Sequence, residues 1–121
     1  MTMTSTVDDA PEPSDTSLAA PVAAVFRALG EPARLSILRH LFTGEHSVRE
    51  LTDHLGLAQS TVSVHLACLR DCGLVRLRSV GRSSRYSVAD PARLAALLAG
   101  ADELVHGPGA DAATCTHLDA R

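Results

Sequence analysis

Cys68 and Cys72 stand four residues apart in a stretch of helical periodicity. On a helix that spacing puts both on one face, with Cβ atoms ~6 Å apart. Two thiolates so placed can share one soft ion, but a trigonal or tetrahedral site needs a third or fourth ligand. Cys115 is the chain's only other thiol; from a polar tail it can fold across to close the site, in its own subunit or in a partner. Thiolates select Cd(II), Pb(II), Hg(II) or As(III) over hard cations. Two other readings stay open and a third is set aside. The pair can be small core residues, since free cysteine is commonly buried. It can form a disulfide, although Cα atoms ~6 Å apart with nearly parallel Cβ vectors would distort the helix. A cysteine nucleophile would need a base held within ~3 Å in a cleft, and no Gly-rich loop or paired acids suggest one, so no enzyme is expected. The unexplained third cysteine favours the metal reading.

A second constellation follows the order helix, tight turn, helix, basic hairpin, which is that of a winged helix-turn-helix. The second helix of such a pair presents its N-terminal residues to base edges in the major groove. Here they are Gln59, Ser60, Thr61, Ser63, Val64 and His65. Gln pairs with adenine, Ser and Thr bond either base edges or phosphate, and His65 reads as a base or phosphate contact. The plainer reading is that these polar residues only cap a helix. Against it stands the hairpin, whose Arg78, Arg82 and Arg85 surround Gly81 and suit the minor groove or the backbone. A solvated surface role is the alternative for each arginine. His40, His46 and His54 fall on polar faces or turns and receive no role.

The chain's net charge of −3 seems to oppose a nucleic-acid partner. The charge is segregated, however. Asp8, Asp9, Glu12 and Asp15 precede Ala20 without a base, whereas Leu57 to Val88 carries five arginines against Asp71, a local balance of +4. Local charge is what meets a phosphate backbone.

These residues need elements to hold them. Residues 1–16 lack apolar periodicity and read as a disordered arm. Residues 17–106 read as one DNA-binding and dimerisation domain, and 107–121 as a flexible tail carrying Cys115. Leu18, Val22, Val25, Phe26 and Leu29 predict a helix ended by Gly30. Pro32 opens a second helix with Leu35, Leu38, Leu41 and Phe42 inward. Ser47 and Glu50 form a capping-box spacing for a third, with Val48, Leu51 and Leu55 inward. Gly56 makes the turn, and a fourth helix runs from about Gln59 to Cys72 over Val62, Leu66 and Leu69. Alternation from Leu74 to Val80 predicts a strand, Gly81–Arg82–Ser83 a turn, and Arg85 to Val88 the returning strand. Asp90–Pro91 starts a fifth helix bearing Leu94, Leu97, Leu98, Leu104 and Val105.

The fold expected is therefore mainly α with a small β-hairpin. At 121 residues the chain suits one modest core. Aromatics make up only 2 %, so Leu, Val and Ala must fill that core, which favours helices over a sandwich. No apolar run nears the ~20 residues of a membrane span. The start lacks the basic and apolar stretches of a signal peptide, so a cytoplasmic location and free thiols are expected.

The stretch from Phe26 to Val88 resembles the ArsR/SmtB family of metal-responsive repressors. The resemblance rests on ALGEPARLSIL (Ala28–Leu38), LGLAQSTVSVHLACLRDCGLV (Leu55–Val75) and GRSSRYSV (Gly81–Val88). It covers about half the chain. It implies a homodimer through the first and last helices, bound to a palindromic double-stranded operator and released by an inducer. Within it, HLACLRDCGLV is similar to the cadmium- and lead-sensing branch, in which two recognition-helix cysteines and one C-terminal cysteine bind the ion. That likeness makes Cys68, Cys72 and Cys115 the ligands and Cd(II) or Pb(II) the inducer; the alternatives are a thiol-redox-sensing repressor and a constitutive winged-helix repressor that takes no ligand. A family site on third-helix cysteines would fall near Glu45–Leu51, which has none. A family zinc site on the last helix is represented only in part, by Asp102, His106 and His117.

Overall fold

The computed structural model describes the backbone of residues 11–107 and the side chains from Ala19 onward. Its elements are α1 (Pro11–Leu29), α2 (Pro32–Leu41), α3 (Val48–Leu55), α4 (Gln59–Asp71), β1 (Val75–Val80), β2 (Ser83–Val88) and α5 (Pro91–His106). Five helices and one hairpin match the expected class. No described helix is long and apolar enough to cross a membrane.

α1 begins at Pro11, so residues 11–16, expected within a disordered arm, are helical. Prolines suit a first helical turn, where the missing N–H has no intrahelical partner to lose. The hairpin also differs from expectation. Ser83 and Ser84 already pair, with Val80 opposite Ser83 and Val75 opposite Val88. The loop is thus Gly81–Arg82 alone, and Gly81 takes φ 61°, a left-handed value that matches the twist of a two-residue hairpin turn.

Caps set the helix boundaries. The Glu31 carboxylate accepts from Ala33 N–H at 2.7 Å and precedes Pro32 at N1. Ser47 and Glu50 close the reciprocal capping box at 3.1 and 2.9 Å, which satisfies two otherwise orphan donors. Gly56 ends α3 at φ 69° and turns the chain into α4. That last helix has Ala58 at its N-cap and no side-chain cap.

Two compact units divide between Ala89 and Asp90. In the first, Ile37, Leu38, Leu51, Val62, Leu66 and Leu69 are buried to 0 % exposure and form the centre of the core. The α4 stripe expected over Val62, Leu66 and Leu69 is fully inside. Val75 and Val88 close the base of the hairpin against solvent. On α1 Leu29 is buried, whereas Val22 and Phe26 are 55 % and 56 % exposed; Phe42, expected inward on α2, is also at the surface. In the second unit, α5 starts on Asp90, whose carboxylate accepts from Arg93 N–H at 3.2 Å. Leu94 and Leu98 are its buried positions, while Leu97, Leu104 and Val105 are exposed.

Candidate nucleic-acid interface and thiol site

The core stripe of α4 faces inward, so its opposite side carries Gln59, Ser60, Ser63 and Val64 into solvent, with Thr61 half-buried. Ser60, Thr61, Val64 and His65 line one shallow depression. Because the N-cap is Ala58 with no side-chain bond, none of these hydroxyls is consumed in capping. Val64 is 67 % exposed; a bare valine in the middle of a solvent-facing helix suits apolar contact with a thymine methyl.

His65 is placed differently from its neighbours. Arg34 Nη1 donates to His65 Nδ1 at 3.3 Å; an arginine can only donate, so the ring nitrogen accepts. His65 Nε2 lies 3.8 Å from the Glu31 carboxylate. Arg34 itself donates to the carbonyls of Ala28 (2.6 Å) and Arg27 (3.1 Å) at the end of α1. His65 thus anchors α4 to the α1–α2 junction.

The wing arginines also divide. Arg78 grips Glu45 through Nε and Nη2 at 2.9 and 2.7 Å. Arg85 pairs with Glu50 at 3.2 Å and donates to the Glu45 carbonyl at 3.0 Å. The Arg78 hydrogen bond, with lesser help from the charges of Arg78 and Arg85, holds the Glu45 carboxyl below its ordinary range. The Glu50 carboxyl is held low first by its bond from the Ser47 backbone and then by Arg85. Arg82 stands exposed at the hairpin tip.

At the other end of α4, Cys68 and Cys72 are both half-buried free thiols. Cys72 is the C-cap, and its N–H donates to the Cys68 carbonyl at 3.1 Å. Its Sγ–H donates to the Ala24 carbonyl of α1 at 3.9 Å. Burial pushes the Cys72 thiol up, and Cys68 and Asp71 add to this while Arg27 opposes it. Such a thiol stays protonated near neutrality and becomes a thiolate when an ion replaces its proton. Cys115 and His117 lie outside the described residues. On α5, His106 Nδ1 donates to the Asp102 carbonyl at 3.0 Å.

One cluster escaped the sequence reading. His40, at the end of α2, His46, in the following loop, and His54, at the end of α3, bring ligand atoms within 4.8 Å of one another. His40 Nε2 and His54 Nδ1 share a hydrogen bond at 2.7 Å. Burial, then the neighbouring His46 and His54, holds His40 below its ordinary value. The separations of 6 and 8 residues follow no single-element period; the only available signal was three histidines within 15 residues.

Comparison with known proteins places this architecture. The family described as "Bacterial regulatory protein, arsR family" matches residues 31–76. A probable mercury resistance operon repressor of Streptomyces lividans is 50 % identical over 66 residues, 54 % of this chain and 53 % of that one. The HTH-type transcriptional regulator CmtR of Mycobacterium tuberculosis is 50 % identical over 64 residues, 53 % and 54 % of the two chains. The chain spans about half the length of these two relatives. Among solved structures, the homodimeric winged helix-turn-helix DNA-binding domain of Mb0332 from Mycobacterium bovis superposes with a TM-score of 0.68 at 36 % identity, covering 73 % of this chain and 84 % of that one. All three are described as repressors or transcriptional regulators, the Mb0332 domain as a possible ArsR-family one. The chain belongs to the ArsR/SmtB family of bacterial regulatory proteins.

Proposed function

We propose that this chain is a homodimeric repressor that binds double-stranded operator DNA in the apo state and releases it on taking up a thiophilic ion. Cd(II) or Pb(II) are the favoured inducers, with Hg(II) and As(III) as further candidates, and the site of action is the cytoplasm. The observation that carries the reading lies along α4, where one 13-residue helix exposes Ser60 and Val64 near its start and holds Cys68 and Cys72 at its end. The mercury resistance repressor and CmtR, each half identical over the matched segment, support the metal-responsive part. The homodimeric Mb0332 domain supports the assembly, for which the exposed Val22 and Phe26 of α1 and Leu97, Leu104 and Val105 of α5 offer apolar surface.

The donor set fits such an ion: two half-buried sulfurs in mutual hydrogen-bonding range. Cys68 and Cys72, joined by Cys115 from the tail, would hold it, and when bound it supplies sulfur–metal bonds stronger than a thiol hydrogen bond. On the protein's side, Cys72 gives up its proton and its contact with Ala24, which loosens the last turn of α4 from α1. Leu66 and Leu69 are packed without exposure, so the helix responds as a unit and the reading end shifts against the Arg34–His65 anchor. A useful switch needs a coupling free energy of ~1–3 kcal/mol between ion and operator.

The test is titration of the full chain with Cd(II), read by thiolate-to-metal absorption in the near ultraviolet. The expected result is saturation at one ion per subunit and loss of the band in Cys68→Ser, Cys72→Ser and Cys115→Ser. An unchanged band in Cys72→Ser, or none in the parent protein, overturns the site.

A further inference from the structure

We propose that His40, His46 and His54 form a second metal site, a three-imidazole centre for a borderline divalent cation, independent of the thiols. Their ligand atoms converge within 4.8 Å, and the ring centroids lie 4.5, 4.8 and 5.6 Å apart. A tetrahedral ion with metal–nitrogen bonds near 2.0–2.1 Å needs nitrogens roughly 3.4 Å apart. The His40–His54 pair, at 2.7 Å, must open slightly and His46 must close in. His54 is exposed and the other two rings are half-buried, so turns of the side chains suffice.

His46 is already set for the task. Its Nδ1 stands 2.7 Å from the Gly44 carbonyl, and a carbonyl only accepts, so Nδ1 carries the proton and Nε2 presents a lone pair. A histidine ligand is commonly fixed by this bond from its second nitrogen to a backbone carbonyl. The His40–His54 bond likewise requires one nitrogen to offer its lone pair, which a cation can claim in place of the proton.

Imidazole ligands favour Zn(II), Ni(II), Co(II) and Cu(II) over both hard cations and the ions preferred by thiolates. Three protein ligands leave a further coordination position for water. The site joins the last turn of α2, the connecting loop and the last turn of α3. His46 also exchanges two backbone hydrogen bonds with Tyr86 of the wing, at 3.0 and 2.8 Å, so an ion there ties the first helix of the helix-turn-helix to the wing.

The experiment uses the untagged full chain with Cys68, Cys72 and Cys115 replaced by serine, titrated with Co(II) and followed by its visible d–d absorption. The expected result is one Co(II) per chain, displaced by Zn(II). His46→Gln and His54→Gln should each weaken binding by at least the roughly 10-fold that loss of even an outer-shell partner causes. Far-UV circular dichroism shows whether each variant remains folded. Absence of Co(II) bands in the thiol-free chain overturns the proposal, as does undiminished binding in both folded histidine variants. Neither outcome bears on the thiolate reading, since the thiols are absent throughout.

Discussion

Glu45 holds Arg78 by two parallel hydrogen bonds, at 2.7 and 2.9 Å, across 33 residues of sequence. The pair fastens the wing to the α2–α3 loop, and it also neutralises a charge that the proposed function would set toward phosphate. Glu45→Gln should therefore tighten operator binding. It should also steepen the dependence of log affinity on log salt by up to ~0.9, the value of one added phosphate contact. Arg82→Ala, at the hairpin tip, should lower the slope by a similar amount. Salt titrations of both variants check this, and an unchanged slope in Glu45→Gln would leave Arg78 without a role in binding.

The same contacts respond to acid. Glu45 and Glu50 titrate below the ordinary glutamate value of 4.5 in the folded chain, so around that pH the unfolded chain binds more protons. Their stabilising contribution is then complete above the ordinary value and is lost as pH falls through the depressed ones. Carboxyl carbon NMR titration should give midpoints under 4.5 for both, with wing resonances shifting in step. Midpoints at or above the ordinary value would contradict the pairing.

Much of the scaffold was legible because its signals are local. The Ser47–Glu50 box, Pro32 at a helix start and Gly56 at the turn each act within one turn of chain, and the structure places all three where expected. The α4 core stripe was legible for the same reason. The start of α1 was missed because residues 11–16 carry no apolar periodicity, while the Pro11 that suits a helix start leaves no periodic signal of its own. The partners of the site were hidden by distance: Glu45 reaches Arg78, Arg34 reaches His65, and three histidines meet only after α2 and α3 pack. Arg78 and Arg85 looked alike in sequence as wing cations, yet carboxylates from the α2–α3 segment claim both, whereas Arg82 stands exposed at the hairpin tip.

Capping should be measurable in both directions. Ser47→Ala removes one half of the box and should cost about 1 kcal/mol in urea unfolding. Ala58→Ser, at an N-cap with φ −66° and ψ 146° and no side-chain bond, should gain up to about 1 kcal/mol. A loss in the second case would mean that Ala58 packs in a way its cap geometry does not reveal.

Arg34→Met keeps the aliphatic stem and deletes three hydrogen bonds that join α1, α2 and His65. Net bonds to a charged group are worth roughly 1.5–3 kcal/mol, and the variant should lose about 2 kcal/mol of stability. His65 ring resonances should broaden or shift at the same time. If they stay unchanged, Arg34 does not anchor the recognition helix.

The central claim is that a thiophilic ion on α4 releases DNA. Fluorescence anisotropy of the protein's own promoter DNA, saturated with reduced protein and then challenged with Cd(II), Pb(II), Hg(II), As(III) and Zn(II), tests it most directly. The account predicts release by the thiophilic ions and little by Zn(II), with release abolished and DNA binding retained in Cys72→Ser. DNA that stays bound under every ion would contradict the metal switch.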